Sequence, residues 1–185
     1  RGGGIYSWGY NDDTSVTIEN SIINGNRTTD EFPSTLYCSD PREGGGIIVR
    51  GGSLRIINSR ICQNQAVSIG GGLSVGWNAI IEDSTICQNT ARYGGGGLIA
   101  RGGKYMPAGE QQAKFLMTGS TVRDNVSTDD GADTNSSFHF ARKYFGGGGL
   151  FMDAEPIPDP VPDGFVAPEM RIRNTTFSGN QSLLA

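Results

Sequence analysis

The stretch Ser68–Leu98, SIGGGLSVGWNAIIEDSTICQNTARYGGGGL, opens and closes on nearly the same words. At each end a glycine triplet leads into one large aliphatic residue, Leu73 and then Leu98, a spacing of about 25 residues. Glycine loses more backbone entropy on folding than any other residue, so a recurring triplet must meet a structural or functional need. Between the triplets the apolar residues Ala79 and Ile81 alternate with polar or outward positions, as in a strand buried on one face. Ser84-x-Ile86-x-x-Asn89 then supplies the punctuation before the next triplet.

Outward from this stretch, the same three motifs recur in fixed order along the whole chain. Triplets begin at Gly2, Gly44, Gly70, Gly95 and Gly147 and lead into Ile5, Ile47, Leu73, Leu98 and Leu150. Alternating pairs follow: Val16/Ile18, Leu54/Ile56, Ala79/Ile81, Phe115/Met117 and Met170/Ile172. The third motif is Ser21-x-Ile23-x-x-Asn26, with equivalents at Ser59/Ile61/Asn64, Ser84/Ile86/Asn89, Ser120/Val122/Asn125 and Thr175/Phe177/Asn180. Each shortest copy holds three short period-2 segments and no amphipathic helical period, which predicts three strands per repeat. Such a unit stacks coil on coil at about 4.8 Å as an all-β, right-handed parallel β-helix, so that five coils span roughly 24 Å. The expectation is one domain over residues 1–185, with repeats starting near residues 2, 44, 70, 95 and 147.

Stacking accounts for the ladders. The aliphatic series would supply a core that no single repeat can build, and the asparagine series Asn26, Asn64, Asn89, Asn125 and Asn180 would satisfy backbone groups at one bend. Coils 1, 4 and 5 are longer, and their excess reads as loops: RTTDEFPSTLYCSDPRE after Asn26, KYMPAGEQQA and STDDGADTNSSFHFARKYF in coil 4, and AEPIPDPVPDGFVAPE in coil 5. Insertions of this kind project from a solenoid and often carry its contacts.

Composition narrows the class. Hydrophobic residues are 36% of the chain and glycines number 29, a balance that suits repetitive β structure rather than collagen. The net charge of −4, without a Lys/Arg cluster, argues against nucleic acid as a partner. No run of eighteen apolar residues provides a membrane-spanning helix. The opening on Arg1-Gly2, with no signal peptide, reads as a mature or excised segment of something larger. Asn180–Ala185 and Arg1–Ile5 would join at nearly the ordinary spacing, so the expected partners are copies of the chain stacked end to end, or neighbouring repeats of a longer array.

The Gly-Gly-x-[Ile/Leu] triplet with a Phe/Ile-x-x-Asn motif resembles the polymorphic outer-membrane protein repeat of chlamydiae and, more widely, right-handed parallel β-helix surface proteins. Phe177-Ser178-Gly179-Asn180 matches one half directly, and Gly45-Gly46-Ile47 and its equivalents match the other, with Gly where the family often has Ala. The resemblance implies a β-helix at a cell surface or outside the cell, engaged in adhesion or surface structure.

Candidate chemistry is sparse. β-Helices that bind or cleave polysaccharides need carboxylates paired on an exposed wall, and no acid pair recurs in adjacent copies, so the reading is structural, with a polysaccharide-binding or -cleaving β-helix as the alternative. The acidic loop residues Asp129, Asp130 and Asp133 lack EF-hand spacing and are weak cation candidates; nothing calls for a cofactor. His139, between Phe138 and Phe140, reads as a loop packing residue. Cys62 and Cys87 occupy equivalent positions in adjacent coils, which allows either a disulfide or stacked thiols, and Cys38 is a competing partner for Cys62. Sequons stand at Asn26, Asn125, Asn135, Asn174 and Asn180. Asn135 and Asn174 are the better glycan acceptors, because the other three belong to the asparagine ladder.

Overall fold

The computed structural model describes residues 3–8, 14–29, 43–76, 78–101, 114–129, 147–153 and 169–184. Among these every regular element is a strand, and every strand pairing is parallel and joins equivalent positions of successive repeats. The first sheet stacks Ile5–Trp8, Ile47–Arg50, Leu73–Val75, Leu98–Arg101 and Leu150–Asp153. The second stacks Ser15–Glu19, Ser53–Ile57, Asn78–Glu82, Lys114–Thr118 and Glu169–Arg173. Ile22–Asn24, Arg60–Cys62, Thr85–Cys87, Thr121–Arg123 and Thr176–Ser178 form the third. Neighbours in each sheet are neighbouring repeats, the arrangement of a parallel β-helix of five coils.

Three strands per coil was the expectation, and the structure corrects it to four. A fourth sheet stacks Gln65–Ala66, Thr90–Ala91, Val126–Asp129 and Gln181–Leu184, and Arg27 of the first coil joins it through a single bridge to Gln65. Its strands in the short coils have two residues and bury Ala66 and Ala91, and the longer strand of coil 4 buries Ser127. Two residues cannot display a period of two, and Ala and Ser carry little hydrophobic signal.

The three aliphatic series register as the repeat demands: Ile5↔Ile47↔Leu73↔Leu98↔Leu150, Val16↔Leu54↔Ala79↔Phe115↔Met170 and Ile23↔Ile61↔Ile86↔Val122↔Phe177. In the middle coils they are sealed from solvent; Ile47, Ile61, Leu73, Ile86, Leu98 and Val122 have no exposure at all. Each such side chain contributes about 1.5–3 kcal/mol by burial, and each coil depends on its neighbour for that burial.

A smaller cluster lies on the outer side of the first sheet. Ile69 and Tyr93, in the segments returning from the fourth sheet, pack with Ile99 and the half-buried Phe151. Ile48 and Ser74, also on that side, are buried, as is Glu43, which pairs with Arg50 at 2.6 Å and accepts a hydrogen bond from the Ser74 hydroxyl at 3.3 Å. The continuous apolar runs Ile47-Ile48-Val49 and Leu98-Ile99-Ala100 carry this signal in the sequence, since a strand covered on both faces does not alternate.

Candidate functional site: the ladders and the end coils

Each bend is built from a left-handed residue and a stacked polar one. Between the second and third sheets the left-handed residues are Asn20, Asn58, Asp83, Gly119 and Asn174, each followed by Ser or Thr. The serine hydroxyls donate back two residues, Ser59 to the Ile57 carbonyl at 2.7 Å and Ser84 to the Glu82 carbonyl at 2.6 Å. The same oxygens accept the serine N–H of the preceding coil: Ser59 from Ser21, Ser84 from Ser59 and Ser120 from Ser84, each at 3.1 Å. A hydroxyl that donates and accepts at once suits this position, where one oxygen must bridge two rungs.

The asparagine ladder is more tightly knit. Asn89 Oδ1 accepts from the backbone N–H and the side-chain amide of Asn64, at 2.9 and 3.1 Å. Its own amide donates to Asn125 Oδ1 at 2.9 Å and to the Ile61 carbonyl one coil back, also at 2.9 Å. Asn64 and Asn125 repeat the pattern, and Asn180 donates to the Val122 carbonyl at 2.8 Å. Asn89 and Asn125 are fully buried, so these bonds replace water completely.

The glycine triplet is the counterpart of that ladder. The first glycine turns the chain left-handed, as at Gly70 with φ of 67°. The second sits where backbones crowd: a Cβ on Gly71 would lie 2.3 Å from the Gly96 carbonyl oxygen of the next coil. The third faces the asparagine of its own coil, and a Cβ on Gly72 would meet the Asn89 amide nitrogen at 2.8 Å. The triplet and the Phe/Ile-x-x-Asn motif are therefore two halves of one packing unit, separated in sequence and adjacent in space.

Cys62 and Cys87, in register in the third sheet, are joined by a disulfide with Cα atoms 4.6 Å apart. Cys38 lies outside the described residues. So do Asp130, Asp133, Asn135 and His139, while Asp129 is described only as the last residue of its strand. Among the sequons, Asn174 is exposed at a left-handed bend and Thr176 after it is exposed as well. Asn125 is buried with both amide protons bonded, and Asn26 and Asn180 are half-buried members of the same ladder.

The outward face of the second sheet carries the rows Thr17, Arg55, Ile80, Leu116, Arg171 and Glu19, Ile57, Glu82, Thr118, Arg173. Arg55 and Glu82 pair across coils at 2.9 Å, and Arg171 pairs with Glu169 along its strand. Among the described side chains no carboxylate stands over another in the adjacent coil, and no group of three His, Cys, Asp or Glu residues could hold a metal ion.

The two end coils differ from the middle ones. Met170 and Phe177 occupy core registers, yet they are 47% and 42% exposed, whereas their equivalents one coil back, Phe115 and Val122, are 4% and 0% exposed. Met170 and Phe177 leave a cross-section of the core open on coil 5, and a shallow depression there is lined by Gly149, Leu150, Phe177 and Asn180. On coil 1, Ile5, Val16 and Ile23 are only partly buried. The Asn26 amide donates its second proton to the Asn24 carbonyl of its own coil at 3.3 Å.

Compared with known protein families, with curated proteins and with solved structures, the chain matches none of them.

Proposed function

We propose that the chain is a structural element of an extracellular or cell-surface β-helix, a rod that continues end on as a fibre or as part of a longer adhesin-like array. The observation that carries this reading is the open core on coil 5. Met170 and Phe177 stand in registers that are sealed in every middle coil, and a further coil is the surface that fits them. Contiguous apolar surface of this kind marks an interaction site, and unpaired strand edges are templates for strand addition. The rod would act as scaffold, and the insertions of coils 1, 4 and 5 as its lateral contact surface.

The alternative, a polysaccharide-binding or -cleaving β-helix, needs a wall with stacked carboxylates or aromatic platforms. The outward rows of the second sheet hold Thr, Arg, Ile and Leu, and their carboxylates Glu19 and Glu82 do not stand in adjacent coils, which favours the scaffold. Static light scattering on the purified 185-residue chain tests the proposal. The expected result is a mass that rises with concentration above that of a single chain of 19.6 kDa. A strict monomer up to millimolar concentration would remove the proposal.

A further inference from the structure

Extending the register of the sheets by one step brings coil 5 of one molecule against coil 1 of the next, and the geometry points to a second copy of this chain as the occupant of the coil-5 face. The inference rests on the end-on rod proposed above and names its partner and its register. In the third sheet, Thr176, Phe177 and Ser178 continue the columns that begin with Ile22, Ile23 and Asn24. In the second sheet, Met170 and Ile172 continue the columns of Val16 and Ile18, and Arg173 continues that of Glu19. In the first, Leu150 and Phe151 continue those of Ile5 and Tyr6.

Three independent features meet at that junction. Core meets core: Met170 and Phe177 are about half exposed, and Val16 and Ile23, the residues they would cover, are themselves only partly buried. Opposite charges meet, since the exposed Arg173 falls opposite the exposed Glu19. The asparagine ladder also closes. Within the chain each asparagine amide donates to the Oδ1 of the next coil, so Asn180 would donate to Asn26 of the second copy. Asn26 would then turn its second amide proton from the Asn24 carbonyl to the Phe177 carbonyl, as Asn64, Asn89 and Asn125 do one coil back.

The native disulfide supplies a probe of this register. Cys62 and Cys87 belong to the column whose first and last members are the exposed Asn24 and Ser178, so these two would face each other across the junction as Cys62 and Cys87 do inside the rod. The variant N24C/S178C is oxidised and run on a non-reducing gel beside the wild-type chain, each single variant and the off-register variant N24C/T176C. Circular dichroism verifies that all of them fold alike. The expected result is a reducible ladder of dimers, trimers and longer species in N24C/S178C, with an equimolar mixture of the single variants stopping at dimers. E19R should weaken association roughly fivefold and E19R/R173E should restore it. Association by light scattering without a covalent ladder, or an equal ladder from N24C/T176C, would overturn the register and leave the end-on rod standing. A monomeric chain would overturn both.

Discussion

The Asn89 side chain makes four hydrogen bonds from a position without solvent exposure, so its loss leaves several buried groups unpaired at once. Replacing it by Leu strands the Asn64 N–H, one Asn64 amide proton and the Ile61 carbonyl, at a cost of about 3–5 kcal/mol. Asn26 leaves fewer groups behind and is half-buried, so Asn26→Ala should cost about 1 kcal/mol. Urea unfolding of the two variants separates them, and equal losses would mean that the ladder is not what holds the bend. The glycines divide in the same way. Gly71→Ala puts a Cβ 2.3 Å from a backbone oxygen that cannot move without shifting the next coil, whereas a Cβ on Gly25 meets nothing within 4 Å and only its φ of 69° resists. The expected costs are about 3 kcal/mol or more and about 1 kcal/mol respectively. Asn174 and Asn125 share a sequon pattern but not an environment. When the chain is secreted from a host that glycosylates, amidase digestion in heavy-oxygen water should label Asn174 and leave Asn125 unlabelled. Label on Asn125 would contradict the burial described for the ladder.

At the scale of strands and bends, the parts legible in the sequence were those with long-period repetition. The three aliphatic columns and the asparagine column lie where the spacing placed them, because residues that share a repeat position must share a rung. The fourth sheet was hidden, since Gln65–Ala66 and Thr90–Ala91 are too short to alternate and bury only alanine. The outer cluster of Ile69, Tyr93 and Ile99 was legible only in part: the unbroken apolar runs Ile47-Ile48-Val49 and Leu98-Ile99-Ala100 mark strands covered on both faces, but they do not show that Ile69 and Tyr93 are what packs with Ile99. For Cys62 and Cys87 spacing alone left disulfide and stacked thiols equal, and the in-register Cα separation of 4.6 Å accommodates the bond. The disulfide closes a loop with a sequence separation of 25, so the double variant C62A/C87A should unfold about 3 kcal/mol more easily. A thermal midpoint that is unchanged on reduction would show that stacking alone fixes the third sheet.

For the whole molecule, the middle and the end of the rod should respond differently to the same substitution. Ile86 is sealed between two coils, and Ile86→Asp should abolish folding, because an unpaired charge there has no water to solvate it. Phe177 occupies the same column at 42% exposure, and Phe177→Asp should leave the circular dichroism spectrum intact while suppressing end-on association. That pairing of outcomes distinguishes a face used for assembly from one that only completes the fold. Sequence repetition exposes the column to which Phe177 belongs; its exposure becomes visible only when the coil is placed in space. The most direct measurement of the account is the axial rise per molecule, from helical reconstruction or fibre diffraction of the assembled chain. Five coils stacked without interruption give a strand spacing of about 4.8 Å and a rise of roughly 24 Å per copy. A rise that is not close to five strand spacings, or particles without an axial strand repeat, would contradict it.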